Sequence, residues 1–167
     1  MEHVWTVFCR RAIMDQETHQ VTLVDAIEGI AVLDTESGNV DQPSEASFEC
    51  EVTLLSFWVR SNPAEPERGE ARISLWGPDG KPIESDTEIR LEIDLREKPQ
   101  LRTQLKMNSL PLHGPGRYTF KVERSLDSGW ETVARIPYEL VIHSPEAELS
   151  AESSGPLTPS PPPAART

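Results

Sequence analysis

Hydrophobic and polar residues alternate most regularly between Gly114 and Ile142. The first arm of this stretch reads Tyr118, Thr119, Phe120, Lys121, Val122, Glu123. Successive side chains of a strand point to opposite faces, so the alternation predicts a strand with one face on a core and the other in water. Asp127, Ser128 and Gly129 provide turn chemistry, and an arm rich in aromatic and β-branched residues follows from Trp130. The stretch predicts an antiparallel hairpin.

Similar patterns elsewhere predict the remaining strands. They lie at residues 4–13, 21–33, 48–60, 71–76, 89–95 and 101–107. The first segment is apolar on both sides, which favours a central position, and it is expected to form a hairpin with the second. Gly29 inside the second segment is expected to be a bulge or bend. Alternation fails at Leu54-Leu55, so the third segment is expected to be covered on both faces or to contain a bulge.

The spacing of these segments indicates the fold class. Seven to nine short strands are separated by turns such as Gly77-Pro78-Asp79-Gly80, and no amphipathic helix of ten or more residues is evident. This pattern predicts an all-β protein in which two antiparallel sheets pack as a sandwich, immunoglobulin-like or related. A closed barrel is the alternative.

The composition changes after His143. Six of the fifteen prolines follow that residue, at positions 145, 156, 159, 161, 162 and 163, among serine, alanine and glutamate. So few large apolar side chains cannot offset the entropy lost on ordering the segment. We therefore expect a sandwich domain over residues 1–143 and a disordered tail, rich in proline, serine, alanine and glutamate, over residues 144–167.

The charge balance limits the possible partners. The chain has 28 acidic and 16 basic residues, a formal net charge of −12, which argues against nucleic acid or an anionic membrane as a partner. No apolar run of about 18 residues is present, and the N-terminus lacks the charge order of a signal peptide. The two cysteines, Cys9 and Cys50, do not make a disulfide framework. A single bridge between them is possible if their strands adjoin, and the favoured interpretation is two small buried residues. We expect a cytoplasmic protein.

No established catalytic motif occurs in the sequence. There is no GxSxG, HExxH, CxxC, P-loop or GxGxxG pattern. The four histidines are expected to be ordinary surface residues, because their spacing suggests no metal site: His3, His19, His113 and His143. We therefore expect no catalytic residue, no metal ligand and no cofactor.

The acidic loops raise one alternative, a calcium site at the loop end of the sandwich. Asp34, Glu36 and Asp41 could gather with Asp79 or Asp127 to supply the oxygen ligands that calcium prefers. The competing interpretation is that these carboxylates are ordinary solvated surface groups in a strongly acidic chain.

Two tryptophans are the other candidate binding residues. Trp76 falls on the polar face of its segment, with Arg72 and Ser74, and Trp130 begins a strand beside a turn. Exposed aromatic side chains can stack on sugar rings or anchor a protein interface, because they bury a large area at low entropic cost. The competing interpretation is that each one packs over an end of the sandwich.

Several motifs together resemble a family of small bacterial β-sandwich proteins of unknown function. They are Phe8-Cys9, the segment Leu23 to Ile30 with Gly29, the Gly77-Pro78-Asp79-Gly80 turn, and Leu110 to Val122 with Gly116, Tyr118 and Phe120. The resemblance spans roughly residues 3 to 142, and its motifs are turns and core positions. It implies the sandwich fold and no particular chemistry.

These observations favour a non-enzymatic binding or accessory module. We expect it to recognise a protein partner through a sandwich face or its loops, with Trp76, Trp130, Asp79 and Asp127 as candidate binding residues. The alternatives are a calcium- or carbohydrate-binding sandwich and, third, a hydrolase whose site is assembled from dispersed residues.

Overall fold

The predicted sandwich is present in the computed structural model, which describes residues 1–33, 46–83 and 88–143. These residues form nine strands in two packed sheets, ordered β2-β1-β4-β7 and β3-β9-β8-β5-β6. The bounds are β1 Glu2–Met14, β2 Val21–Ala26, β3 Gly29–Leu33, β4 Ala46–Val59, β5 Arg68–Trp76, β6 Ile89–Asp94, β7 Gln100–Leu112, β8 Gly116–Leu126 and β9 Gly129–His143. The all-β fold class is confirmed, and the barrel alternative is wrong.

Both predicted hairpins are confirmed. β8 and β9 pair antiparallel around Asp127 and Ser128, and Gly129 adopts a φ of 125° that favours glycine. β1 pairs antiparallel with β2 on one side and with β4 on the other. The predicted central position of β1 is confirmed.

Residues 21–33 are two strands rather than one with a bulge at Gly29. β2 pairs with β1, whereas β3 lies in the other sheet and pairs with β9 in parallel, the one parallel pair among the described strands. As the chain crosses, Ile27 N–H donates to the Phe8 carbonyl and Glu139 N–H donates to the Glu28 carbonyl, each at 2.9 Å. One bond ties the crossing segment to β1 in the first sheet, and the other ties it to β9 in the second. The bend expected at Gly29 is therefore the place where the chain changes sheet.

β4 has both of the features expected from its broken alternation. Its register with β7 shifts between Glu49 and Val52, as at a β-bulge. Leu54 and Leu55 are 1% and 0% exposed although they point to opposite faces. β4 is therefore covered on both sides.

β6 and β7 are consecutive in sequence but belong to different sheets. The guanidinium of Arg60, just after β4, holds this crossing. It donates to the carbonyls of Leu95 at 2.6 Å, Arg96 at 2.7 Å and Pro63 at 3.0 Å. One side chain thus ties two loops at the same end of the sandwich.

The core between the sheets contains a cluster of four aromatic rings. Their centroids lie 5.1 to 5.7 Å apart in the contacting pairs formed by Phe8, Tyr118, Phe120 and Tyr138. The Tyr118 hydroxyl accepts from His113 N–H at 2.7 Å and donates to the Gly114 carbonyl at 2.8 Å. This hydrogen bonding back to the preceding loop is the tyrosine corner of immunoglobulin-like sandwiches.

The last strand ends at His143, where the sequence predicts the end of the domain. The predicted tail, residues 144–167, and the acidic segment 34–45 lie outside the described residues. Within the described ranges, no helix has the length and apolar character needed to cross a membrane.

Candidate binding surfaces

Trp76 and Trp130 both lie half-buried on the outer face of the five-stranded sheet. Trp76 pairs in register with Thr119, and Trp130 with Ser125. These partners are six positions apart on β8, about 20 Å at about 3.3 Å per residue. The two tryptophans therefore share a face without forming one compact site.

A cation lies over each indole ring. The Lys121 ammonium is 5.0 Å from the centre of the Trp76 ring, and the Arg72 and Arg90 guanidinium groups are 4.6 and 5.8 Å from the centre of the Trp130 ring. A cation is attracted to the electron-rich face of an indole. Charged side chains of neighbouring strands thus pack against both tryptophans. The two rings are neither fully exposed nor packed over an end of the sandwich, which were the two arrangements considered from the sequence.

Glu123 connects these cations at the centre of the face. It is 4% exposed, and its carboxylate lies 2.7 Å from Arg72 Nε and 2.8 Å from Lys121 Nζ. Burial opposes its ionisation, but the hydrogen bonds and charges of Lys121 and Arg72 outweigh burial and hold the pKa of Glu123 below its ordinary value. We call the set Arg72, Trp76, Lys121, Glu123 and Trp130 the tryptophan network.

The tryptophan network leaves little free binding capacity. Arg72 also contacts Glu88 at 3.2 Å, and Arg90 contacts the same carboxylate at 3.0 Å. Because every cation that touches a tryptophan here is paired, and because one face of each ring is occupied, the network is a self-satisfied structural unit.

Asp79 and Asp127 lie at opposite ends of the sandwich. Asp79 is in the turn after β5, where its carboxylate accepts from Lys81 N–H at 3.1 Å, and Asp127 is in the β8–β9 turn. The length of β8, about 35 Å at about 3.3 Å per residue, separates these two ends. Asp34, Glu36 and Asp41 lie outside the described residues, and the described residues hold no group of three metal-ligating side chains.

His3 is not the ordinary surface residue that the sequence suggests. Its Nε2 is 2.7 Å from Thr6 Oγ1, which donates to Ser56 Oγ at 2.8 Å, and its ring packs edge-on against Trp58. Burial lowers the pKa of His3. Ser56 is 1% exposed between the sheets, so this chain of hydroxyls offers no accessible nucleophile.

Both cysteines are free thiols. Cys9 is fully buried, and its Sγ donates weakly to the Thr53 carbonyl at 3.7 Å. Burial raises the pKa of both thiols, so neither is a reactive thiolate. The prediction of small buried residues is confirmed for Cys9, and Cys50 is half-buried.

The outer face of the four-stranded sheet is different in character and was missed by sequence reasoning. Three rows cross β1, β4 and β7 in register: Trp5–Phe57–Arg102, Val7–Leu55–Gln104 and Cys9–Thr53–Lys106. We call these nine residues the four-stranded face. β1 and β4 contribute mostly apolar side chains to it, and β7 contributes polar and cationic ones. Cys9, Thr53 and Leu55 are buried within it, so its accessible side chains are Trp5, Val7, Phe57, Arg102, Gln104 and Lys106. The sequence did contain one indication of this face, because β1 and β4 carry apolar residues on both sides rather than on one.

An aromatic pair lies at one end of the four-stranded face. The rings of Trp5 and Phe57 are 5.6 Å apart, and the Arg102 guanidinium lies 4.9 Å above the Phe57 ring. Arg102 Nε is buried without a hydrogen-bond partner, the one such side-chain atom among the residues described. A buried donor without an acceptor is unusual in a folded protein, and it marks this side chain as incompletely satisfied.

The cations near this face have no carboxylate partner. Arg11, Arg102 and Lys106 form no ion pair with any described residue, in contrast to the paired cations of the tryptophan network. Arg11 and Lys106 line a cavity of about 350 Å³, which also contains Glu51. Glu51 forms no ion pair there. Arg11, Arg102 and Lys106 thus place three cations without carboxylate partners among the described residues on one side of an acidic protein.

A larger cavity, about 510 Å³, opens where the chain crosses from β2 to β3. Phe8, Ile27, Ile136 and Tyr138 form its apolar wall, and Glu28 and Arg117 line it as well. Its lining mixes both charges with core side chains, so it does not indicate a ligand class.

The comparisons with known proteins add little to this geometry. No family model matches the chain, and no curated protein matches it. Among solved structures, the chain is similar to the soluble domain of PmoD from Methylocystis sp. ATCC 49242 (Rockwell), with 13% sequence identity, 81% of this chain and 88% of that chain covered, and a TM-score of 0.31. The resemblance to small bacterial sandwich proteins stays a prediction.

Proposed function

We propose that this protein is a non-enzymatic binding module that recognises a protein partner through the four-stranded face. The observation that carries the proposal is the aromatic pair Trp5–Phe57 beside the unpaired guanidinium of Arg102. Tryptophan and arginine are enriched among the residues that dominate binding energy at protein interfaces. A partner carboxylate would pair with the guanidinium of the half-buried Arg102, which forms no ion pair with a described residue.

The opposite face supports the proposal by contrast. There, Arg72, Lys121 and Glu123 satisfy one another, so a partner would have to break existing pairs before forming new ones. On the four-stranded face, no such pair needs to be broken. Binding there forms new charge pairs at a lower desolvation cost.

The remaining parts of the proposal rest on the sequence and on the thiols. The chain lacks the motifs of known catalytic sites, which supports a binding rather than a catalytic role. Two free cysteines fit the reducing cytoplasm. We further propose membership of the family of small bacterial sandwich proteins, for which the turn and core motifs are the support.

Affinity capture with paired variants tests the proposal. Tagged wild-type protein, Arg102→Glu and Arg135→Glu would be expressed in the cells that make the protein, and the captured proteins quantified by mass spectrometry. Arg135 is the matched control, because it lies on the opposite face in register with Lys121 and forms no ion pair with a described residue.

We expect at least one partner to be captured by the wild type and by Arg135→Glu, and to be lost by at least about tenfold with Arg102→Glu. Equal capture by all three proteins, or loss with Arg135→Glu alone, contradicts a role of the four-stranded face.

A further inference from the structure

β7 is the longest strand at an edge of either sheet. It has 13 residues, whereas the other terminal strands, β2, β3 and β6, have 6, 5 and 6 residues. It pairs with β4 on one side, and no described strand pairs with its other side. A long edge strand presents a row of unpaired N–H and C=O groups that can accept another strand.

The two sides of β7 carry different kinds of side chain, cationic on one side and apolar on the other. Arg102 and Lys106 point to the four-stranded face, at positions four residues apart and without carboxylate partners. Leu101, Leu105 and Met107 point the other way, where they are only half-buried at the margin of the core. The edge thus offers two cations on one side and an incompletely covered apolar row on the other.

We propose that an extended acidic segment of the partner adds to the free edge of β7 as a further strand. Two carboxylates of that segment, spaced like Arg102 and Lys106, pair with these cations. The alternate apolar side chains of the segment cover Leu101, Leu105 and Met107. In strand addition, main-chain hydrogen bonds supply affinity and alternate side chains supply specificity. This inference rests on the proposed function and adds the chemistry of the partner to it.

A second copy of the chain fits the edge poorly. Antiparallel pairing of β7 with β7 of another copy, centred on Gln104, would place Arg102 opposite Lys106 at both ends. Like charges directly opposite each other destabilise a strand pair. The charges of the edge therefore select an acidic segment instead.

A synthetic peptide tests the inference with purified full-length protein. The probe alternates valine with polar residues and carries two glutamates spaced like Arg102 and Lys106; a second probe carries lysine in place of both glutamates. Binding is measured by fluorescence anisotropy. We expect the glutamate probe to bind the wild type at least about tenfold more tightly than the lysine probe does. Equal binding of the two probes overturns the inference.

Charge reversal of the edge provides the matched variant. In the double variant Arg102→Glu with Lys106→Glu, the preference is expected to reverse, so that the lysine probe binds more tightly. Thermal unfolding of this variant at the wild-type temperature shows that it is folded. A variant that binds neither probe while melting normally overturns the proposed pairing.

Hydrogen exchange locates the bound probe. We expect amides of β7 that face away from β4 to exchange more slowly when the glutamate probe is bound, and those of β2 and β6 to be unaffected. Protection confined to another strand overturns the inference. The two proposals can fail separately. If a partner is captured in a way that depends on Arg102 but the glutamate probe does not bind, the proposed function stands and strand addition is wrong.

Discussion

Tyr118 combines core packing with a specific hydrogen-bonding role at the residue scale. Its hydroxyl is bonded to His113 N–H and to the Gly114 carbonyl, and its ring stacks on Tyr138. The substitution Tyr118→Phe keeps the ring and leaves both backbone groups without this partner. We expect the free energy of unfolding to fall by about 1–3 kcal/mol in urea denaturation.

Tyr138→Phe is the control for that prediction. The Tyr138 side chain is 2% exposed in the same aromatic cluster, and its hydroxyl makes no hydrogen bond with a described residue. Its loss should change the free energy of unfolding by less than about 0.5 kcal/mol. Equal effects of the two substitutions would contradict the tyrosine corner.

Lys121 illustrates what the alternation pattern can and cannot predict. The pattern correctly places Phe120 in the core, at 2% exposure, and Lys121 on the opposite face. From the sequence alone, Lys121→Ala is expected to cost under about 0.5 kcal/mol, as for a free surface lysine. The structure gives it a buried carboxylate partner and an indole, which no local pattern encodes.

We therefore expect Lys121→Ala to lower the free energy of unfolding by about 1–2 kcal/mol, through the lost ion pair with Glu123 and the lost contact with Trp76. Phe120→Ala should cost about 3–5 kcal/mol, because it leaves a cavity. Chemical denaturation measures both, with Arg135→Ala as the neutral control. A Lys121→Ala effect as small as that of Arg135→Ala would contradict the network.

His3 gives a pH dependence. Burial lowers its pKa from the ordinary value of 6.5, so the folded state favours neutral His3. The unfolded chain then binds more protons between the lowered pKa and 6.5, and stability falls as the pH drops through that window. An NMR titration of the imidazole should give a midpoint below 6.5. A midpoint at or above 6.5 would mean that His3 is solvated.

At the scale of elements, local sequence patterns predicted where the strands lie better than they predicted which strands pair with each other. The β8–β9 hairpin was predictable because its turn residues and its alternation are local. The split of residues 21–33 was not, because the pattern looks the same whether a strand continues or changes sheet at Gly29. For the same reason, the consecutive strands β6 and β7 gave no indication that they belong to different sheets.

Gly116 shows how one position fixes the approach of two elements. Its φ is 131°, and a β-carbon built there would lie 2.9 Å from Cβ of Pro78 in the turn after β5. We expect Gly116→Ala to lower the free energy of unfolding by about 2–3 kcal/mol, from backbone strain and this clash.

Gly129→Ala separates the two causes. Gly129 has a similar positive φ, 125°, but its added β-carbon would meet no atom within 4 Å. It should therefore lose only the strain component, about 1–2 kcal/mol in the same denaturation experiment. Equal losses at the two glycines would show that the contact with Pro78 does not limit the packing.

At the scale of the whole molecule, the two outer faces differ in how many of their cations form ion pairs. On the five-stranded sheet the cations beside the tryptophans, Arg72, Arg90 and Lys121, are paired with carboxylates. On the four-stranded sheet, Arg102 and Lys106 form no ion pair with a described residue. The sequence predicted the outward position of Trp76 from its polar neighbours. It could not identify Trp5, Phe57 and Arg102 as a cluster, because that cluster exists only once β1 and β7 flank β4.

Site-specific photo-crosslinking tests the central claim most directly. A photoreactive residue would replace Gln104, an exposed position of the four-stranded face, or Arg135, an exposed position of the opposite face, in cells that make the protein. We predict a discrete crosslinked adduct with one partner protein from position 104 and none from position 135. The same adduct from position 135 alone, or no adduct from position 104, would contradict a binding role for the four-stranded face.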